Sequence, residues 1–321
     1  MNDPLDERYD VVVVGGGPAG LNGALMLARS RRSVLVIDSG APRNSPAKGV
    51  HGLLGHDGVP PTELLERGRS EVLHYGGRVT AGEVVRASRA EDDFLVELAD
   101  GRSIQARRLL VTSGLVDELP DLPGVRERWG RDVLHCPYCH GWEVRDEAIG
   151  VLAGGPNSAH LALLFRQLSD DVMFFSHEIP PDPEQAEQLA AVGIRLQQGE
   201  VSSLEVVEDR LTGVRLRDGA LVDRSVLVVS TRMVARADFL SALGLTSKEH
   251  PSGLGEHIQV DATGQTEVPG VWAAGNVADP AAQVGGSAAA GAWAAARINA
   301  DLVAEETRLA VDDYRARSLR S

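Results

Sequence analysis

Cysteine is scarce in this 321-residue chain, which has only Cys136 and Cys139, joined in one C-x-x-C. That scarcity excludes the multi-disulfide framework of small secreted domains. Basic residues are also few, with 32 Lys and Arg against 46 Asp and Glu, which argues against a nucleic-acid partner because phosphate binding needs clustered positive charge. No apolar run approaches the ~18–20 residues of a membrane span, and the acidic start shows no export signal. We therefore expect a cytoplasmic protein without a membrane partner.

Glycine is abundant, with 35 residues, and its first cluster lies between two strand patterns. Residues 11–14 are four valines, as expected for a strand buried on both faces. A turn of sequence Gly-Gly-Gly-Pro-Ala-Gly follows at 15–20, then an alanine-rich helical pattern over 21–30 and a second strand pattern over 34–37. This order predicts a dinucleotide-binding unit of the Rossmann type.

Each residue type in that turn has a physical reason. Gly15 allows the tight turn, Gly17 lets the backbone approach a pyrophosphate, and Gly20 lets the helix pack closely on the strand. The helix amino terminus offers free N–H groups and the positive end of its dipole to the phosphates. Asp38, at the end of the second strand, is predicted to hold two ribose hydroxyls.

A second unit of similar order begins near residue 148, with strand patterns over 149–153 and 172–175 and a helix predicted over 159–168. Its glycine turn carries Pro156 where the middle glycine would lie, and proline has no N–H to donate. Residues 176–178, after the second strand, contain no arginine to bind a 2′-phosphate. We expect a nucleotide-type domain that binds nicotinamide poorly.

The redox chemistry is predicted at residues 135–140, His-Cys-Pro-Tyr-Cys-His. Two cysteines at this spacing can close a disulfide at a helix amino terminus, where the dipole stabilises a thiolate. Histidines next to them can accept a thiol proton or stabilise a thiolate. We take His140 as the main candidate base and His135 as the second. His51, His56 and His74 are isolated and predicted to be ordinary loop or surface residues, although the loop of His51 and His56 could border a cofactor.

Three other interpretations of this segment stay open but are disfavoured. A zinc site would place four ligands within six residues, too compact to surround one tetrahedral ion, so no metal site is predicted. Covalent haem attachment fits C-x-x-C-H literally, but that attachment is expected in an exported protein. A structural disulfide is disfavoured by a reducing cytosol.

These features together resemble low-molecular-weight thioredoxin reductase over nearly the whole chain. The resemblance implies an α/β fold with two three-layer, Rossmann-like nucleotide-binding domains, the second inserted into the first. Residues 1–116 and 247–321 would form a split FAD domain, and 117–246 the NAD(P)H-type domain that carries the C-x-x-C. It also implies a homodimer.

The resemblance implies FAD contacts throughout the split domain. They are Gly15, Gly17, Pro18, Ala19, Gly20 and Asp38 at the first turn, Thr112, Ser113 and Gly114 after a later strand, Gly275 and Asn276, and Gln283 and Val284 before a small-residue helix expected over 287–309. Cys139 would face the flavin.

Three positions depart from the common family pattern. Asn276 replaces an aspartate, His140 replaces the acid that usually follows the second cysteine, and Pro156 interrupts the nicotinamide motif. The two histidines and the Gly-Trp-Glu of 141–143 are similar to a branch whose members close the disulfides of gliotoxin and holomycin.

The expected function is therefore FAD-dependent oxidation of a small-molecule dithiol by the Cys136–Cys139 pair, with dioxygen as electron acceptor. An alternative is an NADPH-dependent disulfide reductase serving thioredoxin. An alternative of another class is a flavin-bound redox sensor.

Overall fold

The computed structural model describes residues 7–318, which form parallel and antiparallel sheets. The strands are β1 (Arg8–Val14), β2 (Val34–Asp38), β3 (Arg78–Ala81), β4 (Val84–Ala90), β5 (Asp93–Leu98), β6 (Ser103–Val111), β7 (Leu115–Glu118), β8 (Val133–Leu134), β9 (Ile149–Leu152), β10 (Val172–Phe175), β11 (Arg195–Gln197), β12 (Val201–Val207), β13 (Arg210–Leu216), β14 (Leu221–Asp223), β15 (Val226–Val228), β16 (Arg232–Ala235), β17 (Lys248–Glu249), β18 (Glu256–His257) and β19 (Val271–Ala273).

The helices lie mainly between parallel strands. They are α1 (Pro18–Arg29), α2 (Pro61–His74), α3 (Val125–Arg128), α4 (Pro137–His140), α5 (Ser158–Phe165), α6 (Pro183–Ala191) and α7 (Val284–Ser318), with 3₁₀ helices at Trp142–Val144, Asp238–Leu243 and Gly275–Val277. Among residues 7–318, no helix combines the length and the apolar character needed to cross a bilayer. Helix α7 begins before the predicted residue 287 and continues past residue 309.

Two compact units divide the chain, and the second interrupts the first along the sequence. The first comprises the described residues up to Arg43, Thr62–Val116 and those from Met233 onward, and the second comprises Asn44–Pro61 and Asp117–Arg232. Sequence reasoning instead grouped the loop of 44–61 with the FAD domain and began that domain's last segment at 247.

The sheet of the first unit is built on β1, whose two faces are both buried. Strands β3, β2, β1, β6 and β19 run parallel, and β5 and β4 extend the sheet antiparallel. Successive side chains of a strand point to opposite faces. Val11 and Val13 therefore pack against helices α1, α2 and α7, whereas Val12 and Val14 pack with the other core, which includes Leu240. This is the reason for the uninterrupted valine run.

The second unit repeats the parallel arrangement on a smaller scale. Its sheet has the order β11-β10-β9-β15-β8, all parallel, and β12, β13 and β14 form a separate antiparallel sheet. Phe165 of α5 and Phe174 of β10 are fully enclosed in the core on one face of the parallel sheet. The predicted fold class, two Rossmann-type α/β units, is confirmed.

Candidate functional site

In the first glycine turn, neighbouring backbone leaves no room for a side chain at Gly15 or Gly20. Gly15 has φ +109°, and a Cβ there would lie 2.3 Å from the carbonyl oxygen of Thr112. A Cβ at Gly20 would lie 1.9 Å from the oxygen of Gly15. The Thr112 hydroxyl donates to the oxygens of Val14 and Gly15 at 3.0 and 2.9 Å. Thr112, predicted as a cofactor contact, thus also fixes the turn.

Gly17 differs, because the space in front of it is open. In the described part of the chain, no atom lies within 4 Å of a Cβ built at Gly17. Gly17 is the N-cap of α1, Pro18 and Ala19 are its first residues, and no side chain of residues 7–318 caps this end. An uncapped helix amino terminus with open space in front fits a dinucleotide phosphate. The residues of this turn therefore fit the pyrophosphate of FAD.

Asp38 ends β2 next to the turn. Its Oδ1 accepts a hydrogen bond from the N–H of Gly40 at 3.1 Å, and its Oδ2 lies 2.9 Å from a guanidinium nitrogen of Arg69 on α2. A carboxylate has about four acceptor sites, so acceptor capacity is left for ribose hydroxyls. Arg69 was not singled out from the sequence, because nothing in its own segment marks a contact with a carboxylate 31 residues earlier.

The amino terminus of α7 lies close to that of α1. A Cβ at Gly291 of α7 would lie 1.9 Å from the oxygen of Ala19, and a Cβ at Gly275 would lie 2.9 Å from the Ala19 Cβ. Gln283 and Val284 form the start of α7, where the oxygen of Gln283 accepts from the N–H of Ser287 at 2.8 Å. The structure thus brings Ala19, Gly275 and the first turns of α7 together, and Gln283 and Val284 begin that helix.

Asn276 is tied to the segment before α7. Its Nδ2 donates to the oxygens of Asp279, Pro280 and Ala282 at 3.1, 3.3 and 2.8 Å. An aspartate has no hydrogen to donate to these carbonyls, so the amide here has a structural reason.

Ser113 and Gly114 follow β6 and connect to a neighbouring segment of the same unit. The Ser113 hydroxyl donates to the oxygen of Arg236 at 2.6 Å, and the oxygen of Gly114, which has φ +73°, accepts from the N–H of Arg236 at 3.0 Å. Their role toward a cofactor stays a prediction.

The glycine turn of the second unit is occupied by its own serine. The hydroxyl of Ser158 accepts from the N–H groups of Gly154 and Gly155 at 3.0 and 3.2 Å and lies 3.2 Å from the Ser230 hydroxyl. Ser158 is buried. Together with Pro156, which has no N–H, this leaves few backbone donors for a pyrophosphate. Sequence reasoning found Pro156 but missed Ser158.

The segment after β10 is likewise engaged within the second unit. The His177 Nδ1 accepts from the N–H of Val201 at 3.0 Å, and the Ser176 hydroxyl donates to the oxygen of Gln197 at 3.2 Å. Neither replaces the arginines that bind a 2′-phosphate.

Cys136 and Cys139 form a disulfide at the start of α4. The N–H of Cys139 donates to the Sγ of Cys136 at 3.2 Å, and both residues are half-buried. Helix α4 is a single turn, so the dipole expected from the sequence is small and the Cys139 amide is the direct donor. A hydrogen bond of this kind stabilises negative charge on sulfur when the disulfide is reduced.

His140 is the last residue of α4, and its Nε2 is buried with no hydrogen-bond partner among the described residues. Burial lowers the pKa of the imidazole below its ordinary value of 6.5, since desolvation penalises the charged form; Glu143 opposes this and His51 adds to it. A neutral imidazole with a buried, unpartnered nitrogen can accept a proton. It has the properties expected of a general base.

His135 stacks on Trp129, with ring centroids 5.2 Å apart and 23° between the planes. Its predicted role as a second base remains a prediction. In the described part of the chain, no group of three or more His, Cys, Asp or Glu side chains is arranged to hold a metal ion.

Comparison with known proteins gives a consistent result. The family model described as pyridine nucleotide-disulphide oxidoreductase matches residues 9–298. A thioredoxin reductase of Leptosphaeria maculans, sirT, is 30% identical over 314 residues, which cover 91% of this chain and 93% of that protein. The thioredoxin reductase of Aquifex aeolicus is 26% identical over 291 residues, covering 86% and 87%.

Solved structures agree with these sequence relatives. The crystal structure of HlmI is similar with a TM-score of 0.92 and 46% identity, covering 99% of this chain and 100% of that one. An oxidoreductase from Agrobacterium tumefaciens is similar with a TM-score of 0.86 and 35% identity, covering 92% and 99%.

Proposed function

This chain belongs to the pyridine nucleotide-disulphide oxidoreductase family, and from that premise we propose that it is a flavin-dependent oxidase of a small-molecule dithiol. It is a thioredoxin reductase-like enzyme, and the family binds FAD. The observation that carries the proposal is the contrast between the two glycine turns: no side chain of the described residues caps α1 at the first, whereas the N–H groups of Gly154 and Gly155 in the second already donate to the Ser158 hydroxyl.

We assign FAD to the first unit. The turn of Gly15, Gly17 and Gly20 would hold the pyrophosphate, Asp38 the ribose, and the start of α7 at Gln283 the flavin. When bound, FAD supplies a two-electron acceptor for the reduced cysteine pair and a reaction with dioxygen that yields hydrogen peroxide.

The proposed thiol–disulfide exchange takes place between the substrate and the cysteine pair of the second unit. A substrate thiolate attacks one sulfur of the Cys136–Cys139 disulfide, so that a mixed disulfide forms and one cysteine leaves as a thiolate. The second substrate thiol loses its proton and attacks the substrate sulfur of the mixed disulfide. The substrate leaves oxidised as an intramolecular disulfide, and the cysteine pair has gained two electrons.

His140 is the base in this proposal. Its pKa is lowered by burial, so the ring is neutral at neutral pH and can take the proton of a substrate thiol at Nε2. The Cys139 amide lies 3.2 Å from the Cys136 sulfur and would stabilise the thiolate there. Cys139 as the sulfur that faces the flavin, and His135 as a second base, stay predictions.

The test is oxygen uptake by the purified yellow protein with a small dithiol such as dithiothreitol, run with and without NADPH. We expect uptake with the dithiol alone, accompanied by hydrogen peroxide, and no stimulation by NADPH. Absence of uptake across a panel of aliphatic and aromatic dithiols would overturn the proposal.

An NADPH-dependent disulfide reductase acting on thioredoxin is the second candidate, favoured by the relatives named thioredoxin reductase. It predicts rapid bleaching of the flavin absorbance by NADPH in the absence of oxygen. A flavin-bound redox sensor predicts slow turnover with every dithiol. The branch resemblance at residues 135–143 supports the oxidase over both. A homodimer in the cytoplasm is part of the proposal.

A further inference from the structure

The loop of the second unit before α2 holds a histidine between two carboxylates. An antiparallel bridge joins Val50 to Val59 at the base of the loop. Within it, Asp57 accepts the N–H of Gly52 at 3.0 Å through Oδ1, and its Oδ2 lies 3.4 Å from the Nδ1 of His51. The position of the His51 ring is therefore set on one side by the loop itself.

The other ring nitrogen of His51 faces the redox segment. Its Nε2 lies 3.4 Å from the Oε1 of Glu143, in the 3₁₀ helix that follows α4. The side chains of His51 and Glu143 are 26% and 42% exposed. Only an imidazole with protons on both nitrogens has a donor for each carboxylate. At 3.4 Å both contacts are at the outer limit of a hydrogen bond, so they act mainly through charge.

Glu143 also acts on His140, three residues earlier. Its negative charge favours the protonated form of His140, and a charge on His51 disfavours it. Among residues 7–318, Glu143 and His51 are the charged groups that act on His140, and Asp57 acts on His51 from the loop. Glu143 thus contacts His51 directly and acts on His140 through its charge.

We propose that Glu143 and His51 are positioning residues, and that sharing the Glu143 carboxylate between His51 and His140 sets how readily His140 takes the proton of a substrate thiol. This inference rests on the proposed function, in which His140 is the base. Glu143 stabilises the protonated His140, while His51 competes for the same carboxylate and repels the new charge. The two side chains have opposite effects on one proton.

Because Glu143 and His51 affect the protonation of His140 in opposite directions, variants of the two residues test the proposal. The protonation of His140 is followed by NMR titration of histidine-labelled oxidised holoenzyme without substrate, with its signal identified by its loss in His140→Gln. Glu143→Gln should lower the pKa of His140, because a favourable charge is lost. His51→Gln should raise it, because a repulsive charge is lost and the carboxylate is released. A purely structural role would shift neither, or both in one direction.

Matched controls lie on the same two segments. Asp146→Asn removes an exposed carboxylate six residues after His140, and His56→Gln removes an exposed histidine from the same loop as His51. Both should leave the His140 titration unchanged, and Glu143→Asp, which keeps the charge, should restore most of the wild-type value. If either control moves the titration as much as its partner variant, the sharing of Glu143 is wrong.

The titration of His140 can be interpreted independently of the proposed oxidase function. The titration needs no substrate and no turnover, so it stands or falls even if no dithiol supports oxygen uptake. If the titration shifts as expected, the acidic limb of the pH profile of oxygen uptake should move in the same direction in each variant. Should Glu143→Gln fail to fold, His51→Gln alone decides, since a lowered or unchanged pKa of His140 would overturn the inference.

Discussion

The two glycine turns of this protein share a strand-turn-helix arrangement but differ in whether a side chain already occupies their backbone N–H groups. In the first, Gly17 faces open space and no side chain of the described residues caps α1. In the second, the Ser158 hydroxyl takes the N–H groups of Gly154 and Gly155, and Pro156 has no N–H. A ligand at the second turn would have to displace a buried hydroxyl. The same local fold therefore leaves its backbone donors to a nucleotide in the proposed FAD site and uses two of them internally in the second unit.

The second unit instead carries the sulfur pair and His140, the base of the proposed function. This contrast teaches that a dinucleotide fold can be kept for its architecture after its ligand contacts are lost. Helix α4, which carries the disulfide, follows β8 of the parallel sheet, and in the proposed function electrons enter this unit through substrate thiols.

The same substitution in both turns should give the largest difference. We expect Gly17→Val to lose FAD, because a side chain there would occupy the place of the pyrophosphate, and with FAD all turnover. Gly155→Val also meets open space and should keep FAD. The flavin-to-protein absorbance ratio of the purified variants checks this. A yellow Gly17→Val protein would contradict the assignment of FAD to the first turn.

Removal of one sulfur should abolish activity and leave FAD binding intact. Cys136→Ser or Cys139→Ser should reduce dithiol oxidation to background while FAD remains bound, since exchange needs both sulfurs of the pair. Oxygen uptake and the visible spectrum of the same sample measure the two properties. Full activity in either variant would remove the cysteines from the mechanism.

His140→Ala should lower the rate by ~10²–10⁴-fold if His140 is the general base. Because burial lowers the pKa of His140, the acidic limb of the wild-type rate should lie below the pH expected for an ordinary histidine, and this limb should disappear in the variant. His160→Ala, an exposed histidine of α5, is the control. A loss of less than about threefold would leave His140 a packing residue.

Opening the second turn should have the smallest effect. The double variant Pro156→Gly with Ser158→Ala frees the N–H groups of Gly154 and Gly155 and restores one more. We expect NADPH to bind about tenfold tighter, which corresponds to ~1.4 kcal/mol. Anaerobic titration of the flavin absorbance with NADPH measures it. Ser230→Ala, which leaves the contacts of Ser158 with the N–H groups of Gly154 and Gly155 in place, should change nothing; an equal gain there would assign the closure to another group.

Local sequence patterns were enough for the elements around each predicted site. The valine run, the glycine turn and Asp38 predicted β1, α1 and the end of β2, because burial on both faces and a tight turn each demand particular residue types. The C-x-x-C was found by spacing alone. By contrast, α7 was predicted too short, since its last turns are exposed and polar, and no apolar periodicity marks them.

The sequence by itself determined the reactive groups: two sulfurs beside two histidines, and a glycine turn that only a close backbone contact explains. The tertiary structure alone decided which groups meet. Arg69 reaches Asp38, Ser158 closes its own turn with Ser230 behind it, and His51, expected to be an ordinary loop residue, faces Glu143. The contacts of Arg69, Ser230 and His51 join residues far apart in the chain, and their energy depends on distance and burial, which no local pattern encodes.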